Sequence, residues 1–188
     1  MDCDRARQPP RRHRWPTKEA ARIGKAAEGM DVLRSEHRGE REDWKMRLYV
    51  ASSWRNERYP IVVSGLRNRG HEVFDFRHPI EGSNGFHWSE IDPNWKMWQP
   101  DAYLFKGLEH PLAVTGFSLD FAAMCRAEAC ILVLPSGRSA HLEAGYFVGR
   151  GRPLHILVEQ QQEPELMYLM ATRVWANLEA MLGQFNRP

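Results

Sequence analysis

From Met46 onward the chain alternates short apolar runs with amphipathic segments that end in helix-stop signals, and this rhythm constrains the fold more than any other feature. Residues 48–52 form a strand-sized run, followed by the polar turn Ser52-Ser53-Trp54-Arg55-Asn56. Pro60 suits a first helical position, and Ile61, Val62 and Leu66 predict a helix that stops at Gly70. A second strand is expected at 72–76. Further on, the pattern predicts a helix at 119–127 capped by Ser118, a buried strand at 130–134 and a helix at 140–148 capped by Ser139. A strand at 154–158, a short helix at 164–170, a strand at 173–175 and a helix at 178–185 capped by Asn177 complete the series.

Five strands alternating with helices specify an α/β domain: a five-stranded parallel sheet covered by helices on both faces, of the flavodoxin-like or Rossmann-like kind. Such sheets bind ligands outside the carboxyl ends of their strands, so turns 52–56 and 135–139 are expected to face one crevice. Residues 77–116 interrupt the rhythm with four prolines and the aromatics Phe86, Trp88, Trp95, Trp98 and Tyr103. That stretch is too long for an ordinary strand–helix connection and reads as a Trp-rich insertion, either a functional lid or a small subdomain, with a short helix near 101–108.

Charge separates a leader from this domain. Residues 1–45 carry 12 basic and 9 acidic side chains, and the remainder carries 14 and 15. The basic excess therefore belongs to the leader, and the body offers no general basic face for nucleic acid. The leader has no apolar core of the secretory type and too many acids for a transit peptide. Met46 stands directly before the first strand, so 1–45 is expected to be a disordered or weakly ordered extension without chemistry, reflecting where the gene start was assigned. The domain is expected to span 46–188. No apolar run approaches the roughly 18 residues of a membrane span. Cys3, Cys125 and Cys130 fit neither a disulfide framework nor a zinc site; the apolar surroundings predict buried thiols and a reducing, cytoplasmic compartment.

The segment 129–157, ACILVLPSGRSAHLEAGYFVGRGRPLHIL, is the most informative. A buried strand ends at Pro135, a tight turn follows, and a helix begins. Backbone N–H groups there, with Ser136, Gly137, Arg138 and Ser139, make an anion site. Glu143 lies about one turn into that helix, where the helix dipole favours an ionised carboxylate suited to attack an anomeric carbon. Spacing alone favours a plainer reading, a surface glutamate stabilising a helix start. Asp120, expected at the start of the preceding helix, reaches the same pocket, where one carboxyl attacks while the other serves the departing base. Ser53, Arg55, Arg138 and Ser139 are candidate phosphate ligands, although both arginines also suit solvated turns. Trp88 and its aromatic neighbours offer a stacking surface, with local packing the stronger alternative. His87, Glu90 and Asp92 match no standard metal spacing, and no metal or cofactor is expected.

The LYVASS first strand, the Asp-bearing helix and the strand–PSGRSAHLEAGY–helix–GRP–strand segment together resemble the nucleoside 2-deoxyribosyltransferase-like superfamily, which includes nucleotide N-glycosidases. The resemblance covers about 46–185 and is most specific around Glu143. It implies a covalent mechanism with Glu143 as nucleophile, Asp120 as second acid and Tyr49 as the tyrosine that orients the nucleophile. It also implies a homodimer or larger homo-oligomer. The long aromatic insertion departs from the family pattern. The expected activity is cleavage of the N-glycosidic bond of a nucleoside or its 5′-monophosphate, with the sugar passing to water or to another base. The rivals are a TIR-like NAD glycohydrolase, a catalytically silent nucleotide sensor and, through the leader, an RNA-binding protein.

Overall fold

The computed structural model describes residues 45–186, so the expected leader lies, except for Lys45, outside the described residues. Five strands, β1 (Arg47–Ala51), β2 (Glu72–Phe74), β3 (Ala129–Val133), β4 (Leu154–Leu157) and β5 (Arg173–Trp175), form one sheet in the order β2-β1-β3-β4-β5. Every pairing is parallel. All five residues of β3 are buried, because a central strand covered on both faces exposes neither set of alternating side chains. The fold class expected from the alternation is the one observed.

Alternate residues divide the core. Leu48, Val50, Ile131 and Val133 face helices α1 (Arg58–Asn68) and α4 (Leu178–Gly183) through Tyr59, Val62, Leu66, Leu178 and Met181. Tyr49, Ala51, Cys130, Leu132 and Ile156 face α2 (Pro111–Arg126) and α3 (Arg138–Gly149). Each large aliphatic side chain so withdrawn from water contributes roughly 1.5–3 kcal/mol. The end of α1 follows from Gly70, whose φ of +89° is open to a residue without a Cβ. His71 then crosses the sheet edge, its Nδ1 accepting from the Met46 amide at 3.1 Å and its Nε2 lying 2.6 Å from the Phe185 carbonyl.

Several boundaries differ from the sequence expectation. The helix expected at 119–127 begins eight residues earlier, at Pro111, because His110 caps it by accepting from the Leu112 amide at 3.2 Å and Pro111 suits the first turn. Ser118 is therefore not a cap; it sits inside α2 and donates to the Val114 carbonyl at 2.7 Å. Gly137, not Ser139, is the N-cap of α3, and Pro60 is the third residue of α1 rather than the first. The second strand stops at Phe74, two residues short. Asn177 does cap α4, accepting from the Ala180 amide at 2.9 Å. Cys130 is buried as expected, whereas Cys125 is exposed on the outer side of α2, with its sulfur 3.3 Å from the Tyr146 hydroxyl.

The insertion is a packed module built from single turns. Trp88–Glu90 and Trp95–Met97 are 3-10 turns, and Pro100–Ala102 runs into a π-helical turn at Tyr103–Leu108. Trp88 meets Phe86, Trp98 and Tyr103 edge-on at 4.8, 5.9 and 5.9 Å. Asp92 accepts from the Trp98 indole at 2.7 Å and from Lys106 at 2.6 Å, and these donors hold its carboxyl at about 2. His87 and Glu90 form a reciprocal cap, so the acids of this loop are spent on local structure.

Candidate active site

In the strand order 2-1-3-4-5 the connections leave in opposite directions between β1 and β3, and the crevice of such a sheet opens at their carboxyl ends. One buried side chain joins the two turns there. Asn56 Nδ2 lies 3.0 Å from Ser52 Oγ and donates to the Val133 and Pro135 carbonyls at 3.1 Å, while its Oδ1 accepts from the Arg58 amide at 2.9 Å. Ser52 Oγ also donates to the Val133 carbonyl, at 2.9 Å. Turn 52–56 is thereby brought against the end of β3 and the entry to α3. Sequence reasoning missed Asn56: nothing local marks a turn asparagine whose partners lie 77 and 79 positions away.

The carboxyls reach this region from two helices. On α3 the buried residues Ala140, Ala144 and Phe147 define the sheet-facing stripe, and Glu143 falls within it by helical periodicity. On α2 the buried residues Ala113, Ala123 and Met124 define the inner stripe, and Gly116 and Asp120 lie along it. Asp120 is thus the tenth residue of a 16-residue helix, not a helix-start acid, and no dipole argument applies to it. A Cβ on Gly116 would stand 2.8 Å from the Phe86 Cβ, so the insertion packs onto α2 one turn before Asp120.

Burial reverses the expected state of Glu143. Its pKa rises from the ordinary 4.5 to about 7, first through desolvation and then through the Asp120 charge. The helix start, five residues back, does not outweigh that cost. Desolvation alone raises Asp120 to about 6. Two sheltered carboxyls that repel each other share a proton near neutral pH, and the higher affinity of Glu143 leaves it mostly the acid and Asp120 mostly the carboxylate.

Tyr49 lies beneath them on β1, its ring between Phe74 and Phe147 at 5.8 Å from each. Its hydroxyl is buried and makes no hydrogen bond of full geometry. It is nevertheless close enough to the Glu143 carboxyl to act on it as a donor and offset part of the upward shift. Cys130 is the cross-strand partner of Tyr49, and its thiol is pushed well up by burial and by the Glu143 charge.

The structure therefore brings Glu143, Asp120 and Tyr49 together. Ser53 and Arg55 lie in the turn after β1, where Ser53 Oγ accepts from the Arg55 amide at 3.3 Å and the Arg55 side chain is exposed. Ser136, Gly137, Arg138 and Ser139 surround the start of α3. A Cβ on Gly137 would meet nothing within 4 Å, so the approach to that helix start is open. His141 is exposed, 2.9 Å from both the Gly137 carbonyl and the Tyr168 hydroxyl. Trp88 is engaged inside the insertion's aromatic cluster. Among the described residues no group of His, Cys, Asp and Glu side chains converges to hold a metal ion, and no helix is long and apolar enough to cross a membrane.

An open parallel α/β sheet with two sheltered acids beside its topological switch point is the class that fold and site define. No family model matches the sequence. No curated protein matches it either. Among solved structures, the chain is similar to a 2-deoxyribosyltransferase from Bacillus psychrosaccharolyticus, with 16% identity, a TM-score of 0.46, and 74% of this chain and 96% of that one covered. It is similar to a CMP N-glycosidase from Clostridium botulinum, with 13% identity, a TM-score of 0.41, and coverage of 73% and 96%. A conserved protein from Enterococcus faecalis matches with 12% identity, a TM-score of 0.40, and coverage of 75% and 97%.

Proposed function

We propose that this protein cleaves the N-glycosidic bond of a nucleoside or nucleoside 5′-monophosphate, with Glu143 and Asp120 as the reacting pair. The observation that carries the reading is the raised proton affinity of both carboxyls, to about 7 and about 6, with the Asp120 charge acting directly on Glu143. Glycoside cleavage needs one carboxylate and one carboxylic acid at the same time, and a pair sharing a proton supplies both. The affinities leave the shared proton mostly on Glu143, so the reactive form is the minor one in which it sits on Asp120. In that form the Glu143 carboxylate bonds to C1′ as the C1′–N bond breaks, and the Asp120 carboxyl gives its proton to the departing base. Water or a second base then attacks C1′, its proton returns to Asp120, and the Glu143 carboxylate is released. Tyr49 orients the nucleophile, while Ser53, Arg55 and residues 136–139 hold a 5′-phosphate against the helix start.

The domain proposed to carry this chemistry spans 46–188, and the assembly proposed for it is a homo-oligomer. Phe117 and Phe121 stack on the outer side of α2 at 5.4 Å and are 55% and 39% exposed, and Leu142 on α3 is 77% exposed. Clustered apolar surface of this kind supports association. The test of function is base release from a panel of nucleosides, their monophosphates and NAD, followed by chromatography. Release abolished in Glu143→Gln supports the reading. Unchanged release in that variant overturns it, and nicotinamide as the sole released base transfers the chemistry to NAD. Tight monophosphate binding without release makes the protein a sensor.

A further inference from the structure

We infer that Arg77 is a positioning residue that shapes turn 53–56 to receive a phosphate group and so sets a preference for a nucleoside monophosphate over the nucleoside. The substrate panel used to test it rests on the glycosidase reading above; the positioning itself rests on the geometry of the turn.

Arg77 follows β2 by three residues, and one terminal nitrogen does most of its work. Nη2 donates to the Trp54 and Asn56 carbonyls at 2.8 Å and to the Ser53 carbonyl at 3.3 Å. The guanidinium lies over the Tyr59 ring at 4.8 Å and near Trp54 at 5.9 Å. The nearest acid in sequence, Asp75, is otherwise committed. Its Oδ1 accepts from the Tyr59 hydroxyl and the Arg77 backbone amide, each at 3.0 Å, and its Oδ2 lies 3.3 Å from His78. None of the ion pairs among the described residues includes Arg77, and its Nε is buried without a hydrogen-bond partner. A partly buried cation is therefore balanced by peptide dipoles rather than by a carboxylate.

That arrangement orients the turn. A peptide unit's N–H points opposite to its C=O, so drawing the carbonyls of residues 53, 54 and 56 toward Arg77 turns the N–H groups of 54, 55 and 57 to the other side. The Arg55 amide is taken by Ser53 Oγ, which fixes that hydroxyl in the turn. Asn56 meanwhile ties the turn to the end of β3, beside the open start of α3. Outward peptide N–H groups, a fixed hydroxyl and the exposed Arg55 side chain form a concave face suited to a tetrahedral dianion.

The experiment compares Arg77→Met, Arg77→Gln and Arg77→Lys with the natural protein. It measures kcat and KM for a 5′-monophosphate and for the corresponding nucleoside, and calorimetric binding of inorganic phosphate, on variants whose folding is verified by thermal unfolding. Met and Gln should lower the kcat/KM ratio of monophosphate to nucleoside by about tenfold or more, through KM, which corresponds to about 1.4 kcal/mol of phosphate interaction. Lys should keep most of that ratio, because an ammonium offers three donors where a single nitrogen now makes three bonds. Phosphate affinity should follow the same order. If Met does not fold, Gln against Lys decides.

An unchanged ratio and phosphate affinity in Met and Gln, or parallel losses on both substrates, overturns the inference and leaves the glycosidase reading standing. No phosphate binding and no preference in the natural protein overturns it as well. Phosphate binding that depends on Arg77 in a protein that releases no base keeps the inference and removes the glycosidase reading.

Discussion

Replacing Glu143 by Gln tests whether its carboxyl is held out of water. The side chain keeps its size and loses its charge. In the folded chain Glu143 has a proton affinity near 7 instead of 4.5. Each tenfold change in proton affinity is worth about 1.4 kcal/mol, so ionising this buried group costs the fold about 3 kcal/mol. The sign follows from which state releases the proton first. Below about pH 4.5 folded and unfolded chains both hold it, and Glu143 imposes no ionisation cost. Between about 4.5 and 7 the unfolded chain releases it while the folded chain retains it, so stability falls as pH rises, levelling off above about 7. Asp120 imposes a similar dependence in both proteins, and it cancels in the difference. The Gln variant should therefore match the natural protein near pH 4 apart from a constant offset. It should exceed it by about 3 kcal/mol above about pH 8. With a urea slope of roughly 2 kcal/mol/M, the midpoint moves up by about 1.5 M. Tryptophan fluorescence across a urea series from acid to alkaline pH reads this directly. A difference between the two proteins that does not vary with pH would mean a solvated Glu143, and the paired-acid argument would be lost with it.

Other outcomes follow from the same geometry. On an unphosphorylated nucleoside, whose own titration does not interfere, kcat/KM should be bell-shaped with limbs near pH 6 and 7; Asp120→Asn should reduce it to a single limb. Tyr49→Phe removes the donor that lowers the Glu143 pKa, so the alkaline limb should move upward, while urea stability changes by less than about 1 kcal/mol because that hydroxyl lacks a well-formed bond. Asn56→Ala removes a donor from the Pro135 carbonyl and leaves the Val133 carbonyl only its Ser52 partner, and should cost about 1–3 kcal/mol in urea unfolding at any pH. If the α2 surface associates, Phe121→Glu should lower the mass measured by light scattering, and an unchanged mass would remove that surface from the assembly.

Much of the architecture was legible because it is carried by local pattern. The apolar run 130–134 reads as a buried strand, and a strand buried on both faces forms at Ala129–Val133; Asn177 signals a helix start and caps α4. The misread elements were those in which a distant contact or an unusual cap outweighed local preference. Residues 111–116, which local pattern assigns to the insertion, belong to α2, and Gly116 lies there because the absent side chain admits Phe86. The capping role of His110 carries no strong sequence signal, so local pattern places Asp120 at a helix start, whereas it stands mid-helix.

The residues of the candidate site were nameable from sequence, because the turn between a buried strand and the next helix, and the resemblance around Glu143, point to them. Their chemistry was not. Sequence placed Glu143 near a helix start and favoured its ionised form, whereas packing between α3 and the sheet, with Asp120 opposite, drives it toward the protonated one. Asn56 and Arg77 became visible only once strands distant in sequence were paired, since each acts on carbonyls that the fold brings within about 3 Å. Periodicity along the chain specifies which side chains face inward. Which of them share a proton, and which turn is braced by a cation, depends on distances that exist only after the sheet has closed.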